Sequence, residues 1–94
     1  MSVRVAFAIT VVGRVQGVGF RWYARDTAAG FRLAGWVENR KDGTVAIEVA
    51  GTADELEPFI AALRTGPSGA KVGDVRATRI DPARVADTGF EIRA

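Results

Sequence analysis

Val3-Arg4-Val5-Ala6-Phe7-Ala8-Ile9-Thr10-Val11 places an apolar residue at every odd position, and the stretch that follows, Gly13-Arg14-Val15-Gln16-Gly17-Val18-Gly19-Phe20-Arg21, abandons that period. Period-two alternation is the mark of a half-buried strand, which should end near Gly13. From Phe20 the spacing becomes helical: Phe20, Tyr23, Ala24, Thr27, Ala28 and Phe31 fall on one face of a helix running to about Phe31. The chain thus opens with a strand, a glycine turn and a helix in direct succession.

Outward from there, Gly35-Trp36-Val37-Glu38-Asn39 is a short second strand. The Lys41-Asp42-Gly43 turn leads into a third, Thr44 to Val49, so the two pair as a hairpin. Thr52-Ala53-Asp54-Glu55 is a capping box ahead of Leu56, Phe59, Ile60 and Leu63 at helical spacing. Gly66-Pro67-Ser68-Gly69 stops that helix. Val72 to Ile80 alternates weakly as a fourth strand, and Phe90 and Ile92 suggest a short C-terminal one. The order β-α-β-β-α-β predicts an α+β split β-α-β sandwich, with an antiparallel sheet carrying both helices on one face. Ninety-four residues suffice for one core, so residues 1–94 are read as a single domain.

The composition excludes several kinds of chemistry. The 13 Lys and Arg against 11 Asp and Glu are scattered rather than clustered, whereas nucleic acid demands a basic face. With no cysteine and no histidine, thiolate and imidazole nucleophiles, disulfides and nearly all transition-metal sites are removed. Asp26, Glu38 and Asp42 are too dispersed for a carboxylate metal triad, so neither metal nor cofactor is expected. No apolar run approaches the ~18 residues of a membrane span, and Met-Ser-Val-Arg leads into the first strand without a signal pattern. A soluble, cytoplasmic monomer is the expectation.

The candidate site follows from the topology. A strand-helix-strand crossover leaves the first two strands parallel, so the glycine turn and Asn39 open onto one edge of the sheet. Two glycines accept the positive φ that lets successive N–H groups converge, and the following helix start adds positive potential. Arg21 contributes a guanidinium whose fork of donors suits a tetrahedral anion. Residues Gln16, Gly17, Val18, Gly19, Phe20 and Arg21 form a candidate phosphate cradle. A Walker loop would need Gly-Lys and then Ser or Thr, and a dinucleotide fingerprint a third glycine where Trp22 stands. A tight turn at the glycines, a solvated Arg21 and an Asn39 bonding its own turn are the plainer readings of the same residues. Arg14 reads as a solvated flank, and Trp22, Tyr23 and Trp36 as packing or rim residues.

Asn39 can donate and accept hydrogen bonds and so orient a water, but an amide takes no proton at neutral pH. The pair therefore suits a leaving group that departs unprotonated. A carboxylate, whose conjugate acid has a pKa of about 4, is such a group. Phosphoryl transfer asks mainly for positioning and charge stabilisation, which amides, one arginine and one aligned water supply.

Gly13 to Arg21, Gly35 to Asn39, Asp42-Gly43-Thr44-Val45 and Gly66-Pro67-Ser68-Gly69-Ala70-Lys71-Val72 together resemble the acylphosphatase family, in order and at its spacing, over nearly the whole chain. The resemblance implies a ferredoxin-like sandwich without metal that hydrolyses small acyl phosphates to a carboxylate and inorganic phosphate. Arg21 would bind phosphate, Asn39 would orient the attacking water, and the stretch from Gln16 to Arg21 would supply cradle amides. Two positions depart from the family pattern: Ala46 replaces a glutamate, expected to alter a solvent face, and Arg32 replaces a helix-ending glycine, expected to change or strain the helix exit. A similar Val-Gln-Gly-Val-Gly-Phe-Arg run opens hydrogenase-maturation carbamoyltransferases, whose further segments have no counterpart here, which favours a free-standing hydrolase. A non-catalytic anion-binding regulatory domain uses the same cradle. An RNA-binding module shares the topology but would need an aromatic run that the first and third strands lack.

Overall fold

The computed structural model describes residues 3–94; Met1 and Ser2, at the head of the expected domain, lie outside the described residues. The elements are β1 (Arg4–Arg14), α1 (Phe20–Gly30), β2 (Ala34–Asn39), β3 (Val45–Thr52), α2 (Ala53–Thr65), β4 (Lys71–Ile80) and β5 (Phe90–Arg93), with a 3₁₀ turn at Pro82–Arg84. The sheet runs β4-β1-β3-β2-β5. β3 lies antiparallel between β1 and β2, with Val11 opposite Val45 and Asn39 opposite the same Val45. The C-terminal ends of β1 and β2 are therefore at one edge, flanking the start of β3. Val3 falls outside β1 and is exposed, so the alternation begins two residues later than its first apolar position.

One face of the sheet carries the core. Val5, Ile9, Val11, Val37, Val45, Ile47 and Val49 meet Phe20, Ala24 and Ala28 of α1 and Leu56, Phe59 and Leu63 of α2, all buried. The periods read from the sequence account for this pairing, since strand residues two apart and helix residues three or four apart face the same way. At the start of α2 the capping box is complete: the Thr52 hydroxyl accepts from the Glu55 N–H at 3.3 Å, and the Glu55 carboxylate accepts from the Thr52 N–H at 3.1 Å.

Three features differ from or add to the expectations. β5 joins β2 in parallel, Gly35 opposite Phe90, making the sheet mixed. Ala46 does not lie on a solvent face; it is 3% exposed. The helix-free face is partly covered by the segment after β4, whose Val85 packs on Ala6, Ala34 and Ala50. Arg4 holds that segment by donating to the carbonyls of Pro82 and Ala86, and Arg84 pairs with Glu48 at 2.7 Å. The exit of α1 is strained as the departure at Arg32 predicts. Leu33 N–H reaches back to Ala28 O at 2.9 Å and Arg32 N–H to Ala29 O at 3.2 Å, a Schellman end. Arg32 occupies its left-handed position at φ 57°, the one non-glycine residue with positive φ among those described.

Candidate active site

The segment between β1 and α1 begins at Val15, whose side chain is 1% exposed and roots the loop in the core. Phe20, 2% exposed, roots its other end. Between them Gly17 and Gly19 stand at φ 74° and 78°. A Cβ added at either would meet no protein atom within 4 Å, so packing is not what excludes a side chain there. The left-handed backbone favours glycine, and the space beside it stays open to a ligand. Gly19 is also the N-cap of α1 and offers no side chain to the first turn. The first helical bond is Tyr23 N–H to Gly19 O at 3.0 Å. Among the described residues, no backbone N–H from Gln16 through Trp22 donates to a protein acceptor. Seven consecutive donors thus sit at a helix start with nothing in the protein to satisfy them, the condition under which such a terminus takes an anion.

Gly17, Gly19, Phe20, Arg21 and Asn39 line one cavity of about 240 Å³, together with Val15 and Trp22. The two remaining cradle residues do otherwise. Val18 packs against the core, and the Gln16 side chain turns to the β2–β3 connection, where its Nε2 donates to Arg40 O at 2.7 Å and Thr44 O at 2.9 Å. That turn is itself braced, because Asp42 accepts from the Thr44 hydroxyl at 2.6 Å and from its N–H at 3.0 Å. These bonds, with Arg40 nearby, hold the Asp42 carboxyl below the usual aspartate range. Gln16 therefore ties the cradle to the turn that follows Asn39. This brace was not foreseen from the sequence, where Gln16 counted for its amide alone.

Arg21, in the first turn of α1, is half-buried, and its Nη1 donates to the carbonyl oxygen of Arg93 in β5 at 3.0 Å. A main-chain acceptor holds the guanidinium without neutralising it. No side-chain pattern announces such a partner. At the end of β2, Asn39 is half-buried, and its Oδ1 is buried with no hydrogen-bond partner. An amide oxygen left unmet costs about 1–3 kcal/mol, which a small donor entering beside it would offset. The plainer reading of Asn39 as a residue bonding its own turn does not hold; Asp42 does that work. No group of His, Cys, Asp or Glu with metal-binding geometry occurs among the described residues. Among the described residues, no helix is long and apolar enough to cross a membrane. Larger hollows at α2 and beside the α1 exit contain neither Arg21 nor Asn39.

The Acylphosphatase family model matches residues 7–92. An acylphosphatase of Acidiphilium cryptum is 44% identical over 90 residues, covering 96% of this chain and 97% of that one. The crystal structure of acylphosphatase from Bacillus subtilis superposes with a TM-score of 0.87 at 38% identity, over 96% of this chain and 99% of the other. Full-length HypF, solved in a phosphate- and nucleotide-bound form, matches with a TM-score of 0.88 at 29% identity over 100% of this chain but only 12% of its own length. With the fold, the unbonded amides and the paired Arg21 and Asn39 on one cavity, these matches place the chain in the acylphosphatase family of enzymes.

Proposed function

We propose that this chain hydrolyses the carboxyl-phosphate bond of small acyl phosphates, releasing a carboxylate and inorganic phosphate. The observation that carries the reading is that Gly17, Gly19, Phe20, Arg21, Trp22 and Asn39 line one cavity, beside a loop whose amides from Gln16 to Trp22 meet no protein acceptor. In this account the amides and the Arg21 guanidinium hold the phosphoryl oxygens, whose charge spreads over the equatorial positions in a loose transition state. The Asn39 carboxamide accepts an O–H of the attacking water and aims it at phosphorus. As the water oxygen bonds to phosphorus, the bond from phosphorus to the acyl oxygen breaks and its electron pair leaves on the carboxylate. The water's proton passes to a phosphoryl oxygen. No histidine or cysteine exists to act as base or nucleophile, and a carboxylate leaving group needs no acid.

Hydrolysis of benzoyl phosphate by wild type, Asn39→Ala and Arg21→Gln tests the reading. Each substitution removes one preorganised group and should lower kcat/KM by about 10²–10³. Wild-type turnover no faster than that of Asn39→Ala would overturn the assignment. Saturable phosphate binding without turnover would instead make the cradle a regulatory anion site.

A further inference from the structure

We infer that Trp22 is the surface on which the acyl part of the substrate lies, and that it makes the enzyme prefer flat, apolar acyl groups. The inference rests on the proposed hydrolysis of acyl phosphates at this cavity. Two large apolar residues are exposed among those described: Val3 at 74%, ahead of β1, and Trp22 at 56%. Only Trp22 lines the cavity that holds Arg21 and Asn39.

A phosphoryl group held by amides and a guanidinium leaves the rest of the substrate to emerge past the remaining lining. Val15 is buried at 1% exposure and Phe20 at 2%, so neither presents a face to it. The glycines have no side chain. Trp22 is then the one large apolar surface that the emerging acyl group can meet.

Its indole is also held in place. The Arg25 guanidinium carbon lies 4.5 Å from the ring centroid, and Arg25 is itself tied to Asp26 at 3.1 Å. One face of the indole is thereby covered; with 56% of the residue exposed, the remaining surface is open to water. A ring already backed by a cation on a regular helix loses little freedom when a ligand stacks on it. Trp36 makes the contrast. Arg93 stacks on it at 4.4 Å in the same manner, yet it sits in β2 away from the cavity lining and is half-buried. Stacking by arginine is therefore common to both tryptophans, and exposure at the cavity belongs to Trp22 alone. A carboxyl group conjugated to an aromatic ring offers the extended flat face that pairs with indole, while an acetyl group offers only a methyl.

The test compares KM and kcat for benzoyl phosphate and acetyl phosphate in wild type, Trp22→Ala and Trp22→Phe, with thermal midpoints as a control on folding. Trp22→Ala should raise KM for benzoyl phosphate about 3- to 10-fold, the usual yield of an aromatic contact, and leave acetyl phosphate within about twofold. Trp22→Phe should restore most of the difference. Equal changes for both substrates, or none for either, would overturn the platform while leaving the hydrolase reading intact. A wild-type protein inactive on both would overturn the proposed hydrolysis itself, and the platform with it.

Discussion

Arg21 Nη1 and the carbonyl oxygen of Arg93 stand 3.0 Å apart, joining the first turn of α1 to the last residue of β5. The acceptor is main chain, so its contribution does not depend on the Arg93 side chain, which stacks on Trp36 instead. Removing Arg93 and Ala94 should free the guanidinium and weaken inorganic phosphate binding by about tenfold, as expected for one hydrogen bond to a charged group. Arg93→Ala keeps the carbonyl and should leave phosphate affinity unchanged. Calorimetric titration of both variants checks the contrast.

Arg21 itself is placed against its own helix. A cation in the first turn opposes the macrodipole by about 0.3–1 kcal/mol, and α1 has no acidic residue there to compensate. Arg21→Gln should therefore cost activity but gain stability, raising the thermal midpoint slightly in the absence of phosphate. A lower midpoint would show that its bond to Arg93 outweighs the dipole.

The strained exit of α1 has a simple relief. Arg32 holds the left-handed position of a Schellman end at φ 57°, where glycine carries no Cβ penalty. Arg32→Gly should stabilise the fold by about 1 kcal/mol, or roughly 4 °C in thermal midpoint for a domain of this size. Activity should not change, because Arg32 lines a different hollow from Arg21 and Asn39.

Three carboxylates are held low in the folded chain. Asp42 is held below its usual range by the Thr44 hydroxyl and amide, Glu55 by the Thr52 amide and hydroxyl, and Asp74 by Arg76. A pKa lower in the folded chain than in the unfolded one means the unfolded chain binds more protons as pH falls. Their stabilising contribution is present above the ordinary values of 3.8 for aspartate and 4.5 for glutamate, and is lost as pH drops through the lowered ones. Urea midpoints should fall below about pH 4.5, and Thr44→Val should shrink the Asp42 share of that fall.

Most of the framework was legible because period carries it: the odd positions from Val5 to Val11 and the Leu56, Phe59, Leu63 spacing each name a buried face. The parallel addition of β5 to β2 was not, since no local pattern distinguishes which edge a four-residue strand joins. Ala46 was misread for a related reason. It sits in the central strand β3, opposite Thr10 of β1 and Glu38 of β2, so its burial comes with the strands on either side, a long-range pairing that no local pattern announces. In the candidate site, the convergence of Gly17, Gly19, Arg21 and Asn39 on one edge was readable from the topology, and they line one cavity. The Gln16 brace to Arg40 and Thr44 and the Arg93 carbonyl were not, because their partners are main-chain oxygens that any residue could supply.

The central claim is that the unbonded amides from Gln16 to Trp22 grip a phosphoryl group beside Asn39. Titrating inorganic phosphate into ¹⁵N-labelled protein and following every amide resonance tests it most directly. The account predicts saturable shifts concentrated at residues 16–22 and the Asn39 side chain, abolished in Arg21→Gln. Shifts centred elsewhere, or none at saturating phosphate, would contradict it.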